Sequence, residues 1–229
     1  MMKICFLGSQ KAGKSSIIKV IFDNMKTHQT KNLDSTFTLE NNSFVLGNNF
    51  PIEISEVPGC IPTSDFVTEN DYLNLKNQDV FIYVINCQNF SPESEFDKLK
   101  EIFNITHEKN PKSWFYIFYH QVDLQMFVDR IYDQEEYIDK HFKEHVKITL
   151  GGNEQKEVEF CRTSIYESSA LMRISELVSK YFNRKTDVIN RMLEKLNMKC
   201  GSRKMYLFDT EKKLFLFNSA KNLEESTWS

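Results

Sequence analysis

The stretch Gly8-Ser9-Gln10-Lys11-Ala12-Gly13-Lys14-Ser15 fits G-x-x-x-x-G-K-[ST], the phosphate-binding loop, in full. It constrains the fold more than any other part of the chain, because such a loop works only between a strand and a helix. Ile4-Cys5-Phe6-Leu7, just before it, reads as a buried parallel strand, and Ile17, Ile18, Ile21 and Phe22 recur at helical spacing just after it. Gly8 and Gly13 permit backbone conformations closed to residues with a Cβ, so consecutive N–H groups can converge on phosphate oxygens. The start of the following helix adds the positive end of its dipole. Lys14 is then expected to reach the β- and γ-phosphates and the Ser15 hydroxyl to ligate Mg²⁺. Gly8, Lys11, Ala12, Gly13, Lys14, Ser15 and Ser16 form the expected nucleotide cradle.

Composition narrows the partners. A net charge of −3 over 229 residues offers no basic field for a nucleic-acid backbone. The five cysteines are scattered without a C-x-x-C pair, which suits a reducing compartment without disulfides or zinc. The charged loop arrives too early for a signal peptide, and no apolar run approaches the roughly 20 residues needed to cross a bilayer. Met2 stands where myristoylation needs glycine, and Ser226-Thr227-Trp228-Ser229 is no prenylation box. The expectation is a cytoplasmic protein with no direct membrane anchor, recruited to any membrane through a partner.

Along the chain, residues 25–42 are polar and read as a long loop, and Ser43–Leu46 and Phe50–Val57 as two strands joined at Gly47-Asn48-Asn49. Val80–Ile85 is a near-continuous apolar run, the mark of a strand covered on both faces, and Trp114–Tyr119 is another. Ser91-Pro92-Glu93 starts a helix with Phe96, Leu99, Ile102 and Phe103 on one face. Ile131, Ile138, Phe142 and Val146 mark a further helix, Gly151-Gly152-Asn153 a loop, and Val158–Cys161 a strand. Leu171, Ile174, Leu177, Val178, Tyr181 and Phe182 give a closing helix. The predicted class is α/β: a mostly parallel six-stranded sheet with helices on both faces, its ligand at the carboxyl ends of the strands. This nucleotide domain is expected over residues 1–183. Residues 184–229 then supply a helix with the apolar stripe Val188, Ile189, Met192, Leu193 and Leu196, and a hairpin about Asp209-Thr210-Glu211-Lys212. A lone hairpin of this size is marginal, so it needs more chain or a surface to lie on. The stripe reads either as a dimerisation surface or as packing on that hairpin.

Further motifs follow in the order a guanine-nucleotide switch requires. Asp34-Ser35-Thr36 lies in the first long loop, where a threonine can bring hydroxyl and backbone to Mg²⁺ and the γ-phosphate. Glu56-Val57-Pro58-Gly59 ends a strand where D-x-x-G is expected, its carboxylate holding a Mg²⁺-bound water and the Gly59 N–H meeting the γ-phosphate. The candidate metal set is therefore Ser15, Thr36 and Glu56. His120-Gln121-Val122-Asp123 follows a strand where [NT]-K-x-D is expected, and a carboxylate at Asp123 can accept two hydrogen bonds that guanine offers and adenine does not. Thr163-Ser164-Ile165 matches the turn that touches the base oxygen through backbone N–H groups.

Here the chain resembles a known family, the Rag GTPases, and within it the C/D-type subunit with its yeast Gtr counterpart. The resemblance lies in G-S-Q-K-A-G-K-S-S-I-I-K-V-I-F, in Leu33–Thr36, in Val57-Pro58-Gly59, in Phe81–Ile85, in His120, in Thr163–Tyr166 and in Tyr206–Asp209. It implies a Ras-like domain followed by a roadblock-type dimerisation domain, here represented by its first helix and hairpin. It also implies bound GTP or GDP with Mg²⁺ and an obligate heterodimer with an A/B-type Rag subunit. Recruitment to the lysosome or vacuole by a scaffold, and reporting of amino-acid supply to TOR complex 1, are implied likewise.

Three positions depart from the pattern: Glu56 for the switch aspartate, Gln121 for the base-motif lysine, and Cys60 for the glutamine that follows Pro-Gly. No catalytic residue is assigned, and intrinsic GTP hydrolysis is expected to be slow. The alternative is a pseudo-GTPase scaffold that keeps its nucleotide as a structural part.

Overall fold

The computed structural model describes residues 1–47, 49–61, 75–88, 91–122, 128–149, 158–201 and 205–218. Strands β1 (Met2–Leu7), β2 (Glu40–Leu46), β3 (Phe50–Glu56), β4 (Val80–Asn86), β5 (Trp114–His120) and β6 (Val158–Thr163) form one sheet in the order β2-β3-β1-β4-β5-β6. Every neighbouring pair is parallel except β2 with β3, the antiparallel hairpin expected about Gly47. β1 lies between β3 and β4, with Phe6 opposite both Glu56 and Ile82. The phosphate-binding loop thus leaves the middle of the sheet with Glu56 beside it.

Period-two alternation sends side chains to opposite faces of the sheet, and here both faces are apolar. Ile4, Phe6, Val80, Ile82 and Val84 pack under helices α1 (Lys14–Phe22) and α4 (Ser169–Lys185). Cys5, Leu7, Phe81, Tyr83 and Ile85 pack under α2 (Pro92–Lys109) and α3 (Val128–Thr149). Covering on both sides is why β4 and β5 read as unbroken apolar runs. Ser91 takes the extended conformation before α2, with Pro92 in the first turn, but its hydroxyl donates to Glu93 rather than capping the backbone.

Two local readings change. β1 begins at Met2, two residues before the expected strand, because Met2 is fully buried and pairs with Ile52. The polar loop is shorter than expected, since Thr27–Asn32 winds into a 3-10 helix and β2 begins at Glu40. Thr30 Oγ1 donates to the Thr27 carbonyl at 2.8 Å inside that turn. It has no apolar period to betray it.

After α4 come α5 (Asp187–Cys200) and the hairpin of β7 (Tyr206–Asp209) and β8 (Leu214–Asn218). The hairpin has found its surface. Leu214, Leu216 and Phe217 join the same core as α1 and α4, and the Phe217 ring meets Phe50 at 5.3 Å and Phe182 at 6.2 Å. The Gly47 N–H donates to Asp209 Oδ2 at 2.6 Å, tying the β2–β3 turn to the tail. The stripe on α5 divides: Leu193 is buried and Ile189 packs beside it, whereas Val188, Met192 and Leu196 stay exposed. The outer face of the hairpin is exposed as well, with Tyr206 and Phe208 both 5.3 Å from the Phe215 ring.

Candidate functional site

The expected rim forms at the carboxyl ends of β1 and β3. A cavity of about 290 Å³ is lined by the loop residues Gln10–Ser16, by Thr30, Lys31 and Leu33–Thr36, and by Glu56, Gly59 and Gln121. Lys14 lies across the loop it belongs to, its Nζ donating to the Gly8 carbonyl at 2.9 Å and the Ser9 carbonyl at 3.1 Å. Burial lowers its pKa, and the nearby Glu56 carboxylate opposes that shift.

Three oxygens from separate elements converge beside the lysine. Ser15 Oγ, in the first turn of α1, donates to Glu56 Oε1 at 2.5 Å and lies 3.1 Å from Thr36 Oγ1. Thr36 Oγ1 also donates to Glu56 Oε1, at 3.3 Å. Glu56 is 3 % exposed, and burial raises its pKa, against the lowering effects of the Ser15 hydrogen bond and of Lys14. All three expected metal residues therefore meet, although 41 residues separate Ser15 from Glu56. Hard oxygen donors of this kind, with one carboxylate, suit Mg²⁺ that keeps water and phosphate ligands rather than a cage built wholly of protein. Among the described residues no cluster of His, Cys, Asp and Glu forms such a cage. The extra methylene of Glu56 does not keep its carboxylate from Ser15.

Gly59 packs directly on the phosphate loop. A Cβ there would lie 2.2 Å from the Gln10 nitrogen and 2.4 Å from the Ser9 carbonyl carbon, so only glycine allows the approach. Cys60, next to it, is exposed.

The base side is anchored by His120, which is 1 % exposed at the end of β5. Its Nδ1 lies 3.0 Å from Thr163 Oγ1, and its ring fills the space a Cβ on Gly13 would need. One imidazole thus joins the phosphate loop, the base-motif strand and the Thr163 turn. Gln121 follows with a positive φ of 64°, lines the cavity, and accepts at its carbonyl from Gln88 Nε2 at 3.1 Å. Asp123 lies outside the described residues. Ser164 is buried, and its N–H donates to Ser169 Oγ at 2.7 Å, so the donor expected to face a base is engaged within its own turn. Ile165 packs partly against the core below α1 and α4.

Contacts that motif reading missed also shape the loop. Asn86, at the end of β4, donates from Nδ2 to the Lys11 carbonyl at 3.2 Å. Ser9 Oγ donates to the Glu95 carboxylate of α2 at 3.1 Å. Asn86 could have been flagged by its place at the carboxyl end of a central strand; Glu95 is one of two acids in the first turn of α2, where they complement the helix dipole, and carries no such signal.

A mostly parallel sheet of this order, with its phosphate loop after β1 and a strand-end carboxylate beside the loop serine, defines the P-loop G domain. The chain belongs to the family described as the Gtr1/RagA G protein conserved region, whose model matches residues 3–228. It is 27% identical over 231 residues to Ras-related GTP-binding protein C of Mus musculus, covering 99% of this chain and 55% of that protein. It is likewise 27% identical to the mouse Ras-related GTP-binding protein D, covering 49% of it, and 26% identical over 215 residues to GTP-binding protein GTR2 of Saccharomyces cerevisiae, covering 93% of this chain and 60% of that protein. The chain thus spans about half the length of the relatives it matches.

Proposed function

We propose that this chain is the nucleotide-binding part of a Rag C/D-type switch that takes GTP and GDP with Mg²⁺. The observation that carries the reading is the meeting of Ser15, Thr36 and Glu56 beside Lys14 on one side of the phosphate loop. Lys14 faces the β- and γ-phosphates, and Gly8, Lys11, Ala12, Gly13 and Ser16 complete the cradle. Ser15, Thr36 and Glu56 would hold Mg²⁺, which would supply positive charge to the phosphates. The Thr36 and Gly59 segments report the γ-phosphate, since both border the same cavity. Asp123 reads guanine, with His120, Gln121, Ser164 and Ile165 shaping the base pocket.

The relatives named as Ras-related GTP-binding proteins support an A/B-type Rag subunit as partner, and the exposed apolar part of α5 and the hairpin offers a face for it. The unit proposed for that role is residues 184–229, the opening helix and hairpin of a roadblock-type domain, following a nucleotide domain of residues 1–183. Recruitment to the lysosome or vacuole and action on TOR complex 1 complete the proposal, with membrane attachment through partners; no helix among the described residues is long and apolar enough to cross a membrane. A second reading, a scaffold with a structural nucleotide, is favoured by one observation: the exposed residue after Gly59 is Cys60, which lacks an amide to orient water.

Denaturing the purified protein and identifying what is released decides between these readings. The switch predicts guanine nucleotide that exchanges when incubated with an excess of the other species. One species that never exchanges favours the scaffold, and no guanine nucleotide under any loading condition overturns both.

A further inference from the structure

The phosphate loop is held from behind by a polar node, buried at Tyr83 and Glu95, that the nucleotide reading does not use. Ser9, the second residue of the loop, donates from Oγ to both oxygens of Glu95, at 3.2 and 3.1 Å. Tyr83, fully buried on β4, donates to Glu95 Oε1 at 2.8 Å. Lys98, one turn further along α2, donates to Ser9 Oγ at 3.4 Å. Glu95 is itself only 6 % exposed.

The main chain of the same serine does the work on the other side. Its carbonyl accepts from Lys14 Nζ at 3.1 Å and from the Ala12 N–H at 3.3 Å. Gly59 rests on its carbonyl carbon. The grip on the lysine, the curl of the loop and the seat of the Gly59 segment therefore all depend on where the Ser9 peptide sits. Its position is fixed by a side-chain hydrogen bond to a carboxylate on a different helix. That carboxylate is fixed in turn by a tyrosine hydroxyl whose burial leaves it no water. The charge of Glu95 also falls on Lys14, opposing the effect of burial.

We infer that Glu95 is a positioning residue for nucleotide: through Ser9 it sets the backbone that grips Lys14 and seats Gly59, and so governs how long nucleotide stays bound. This rests on the nucleotide reading above.

The test is the dissociation rate of a fluorescent guanosine diphosphate from the full chain, for Ser9→Ala, Glu95→Ala and the double variant. Ser9→Ala leaves the Tyr83–Glu95 bond in the core intact, so it remains informative if Glu95→Ala folds poorly. Each single change is expected to speed release about tenfold, the scale of losing one hydrogen bond to a charged group. The double variant should be no faster than the faster single, because both cut the same link. Ile105→Ala, which removes core packing on the same helix, controls for simple destabilisation: it should lower the melting temperature and leave release unchanged. Release at the unmodified rate in Ser9→Ala, multiplying effects in the double variant, or equal acceleration by Ile105→Ala would each overturn the inference. Lys14→Ala separates the two levels. If it keeps its nucleotide the underlying reading fails, whereas if it loses nucleotide while Ser9→Ala is silent, only the role of Glu95 fails.

Discussion

Replacing Glu56 with Gln should give opposite results in two assays. The amide is isosteric and its oxygen still accepts from Ser15 and Thr36, so the local geometry survives while the charge goes. In the nucleotide-free protein that charge is a burden, because the carboxylate is 3 % exposed and burial is the largest influence on it, raising its pKa from 4.5. A carboxyl group that binds its proton more tightly when folded contributes stability below its unfolded pKa and loses it as pH rises through the folded value. The unmodified protein in EDTA should therefore lose stability with rising pH, from about 4.5 upward, more steeply than Glu56→Gln does. Glu135, whose pKa burial also raises, contributes the same slope to both proteins and cancels in the difference. With Mg²⁺ and nucleotide present the sign should reverse. Removing a carboxylate that orients the metal's ligands typically costs 10–100-fold in metal affinity, about 1.4–2.7 kcal/mol. Titrating Mg²⁺ into the complex with fluorescent guanosine diphosphate, and melting both proteins in EDTA across pH, reads the two effects. Unchanged Mg²⁺ dependence in Glu56→Gln would refute the metal role and leave Glu56 a strand-end carboxylate.

Two other outcomes follow from the same geometry. Phe217→Ala empties a fully buried site against Phe50 and Phe182, at a cost of about 3–5 kcal/mol, or roughly 6–20 °C of melting temperature in a single transition; a shift under about 2 °C, or a separate early transition, would show that the tail does not share the core. Single-turnover GTP hydrolysis should run at or below the unassisted Ras level, on the order of 10⁻⁴ s⁻¹, and Cys60→Ala should leave it unchanged, since an exposed thiol is too short and weak a donor to hold the attacking water. A tenfold loss on that substitution would give Cys60 a part in the reaction.

What could be read from the chain depended on how local its cause was. The phosphate loop was legible because its demands fall on eight consecutive residues and their flanks, and β4 and β5 because burial on both faces leaves an unbroken apolar run. Thr36 and Glu56 were legible as strand-end and loop residues in the right order, and their meeting at Ser15 follows from β3 pairing with β1. The Ser9–Glu95 bond spans 86 residues and depends on the crossing of α2 over β4, which no spacing encodes. The tail was half legible. Leu214 and Leu216 alternate with the exposed Phe215 as in any half-buried strand, but Phe217 is buried as well, against Phe50 and Phe182, which lie far off in sequence. The engagement of the Ser164 N–H by Ser169 was invisible for a similar reason, since it depends on where α4 begins.

The central claim is that the cavity beside Lys14 holds a guanine nucleotide through Mg²⁺. Isothermal titration of the nucleotide-stripped chain with GTP and with ATP, each in Mg²⁺ and again in EDTA, tests it most directly. The account predicts tight GTP binding that weakens when Mg²⁺ is removed, and ATP binding weaker by orders of magnitude. ATP bound as tightly as GTP, or GTP binding indifferent to Mg²⁺, would contradict it.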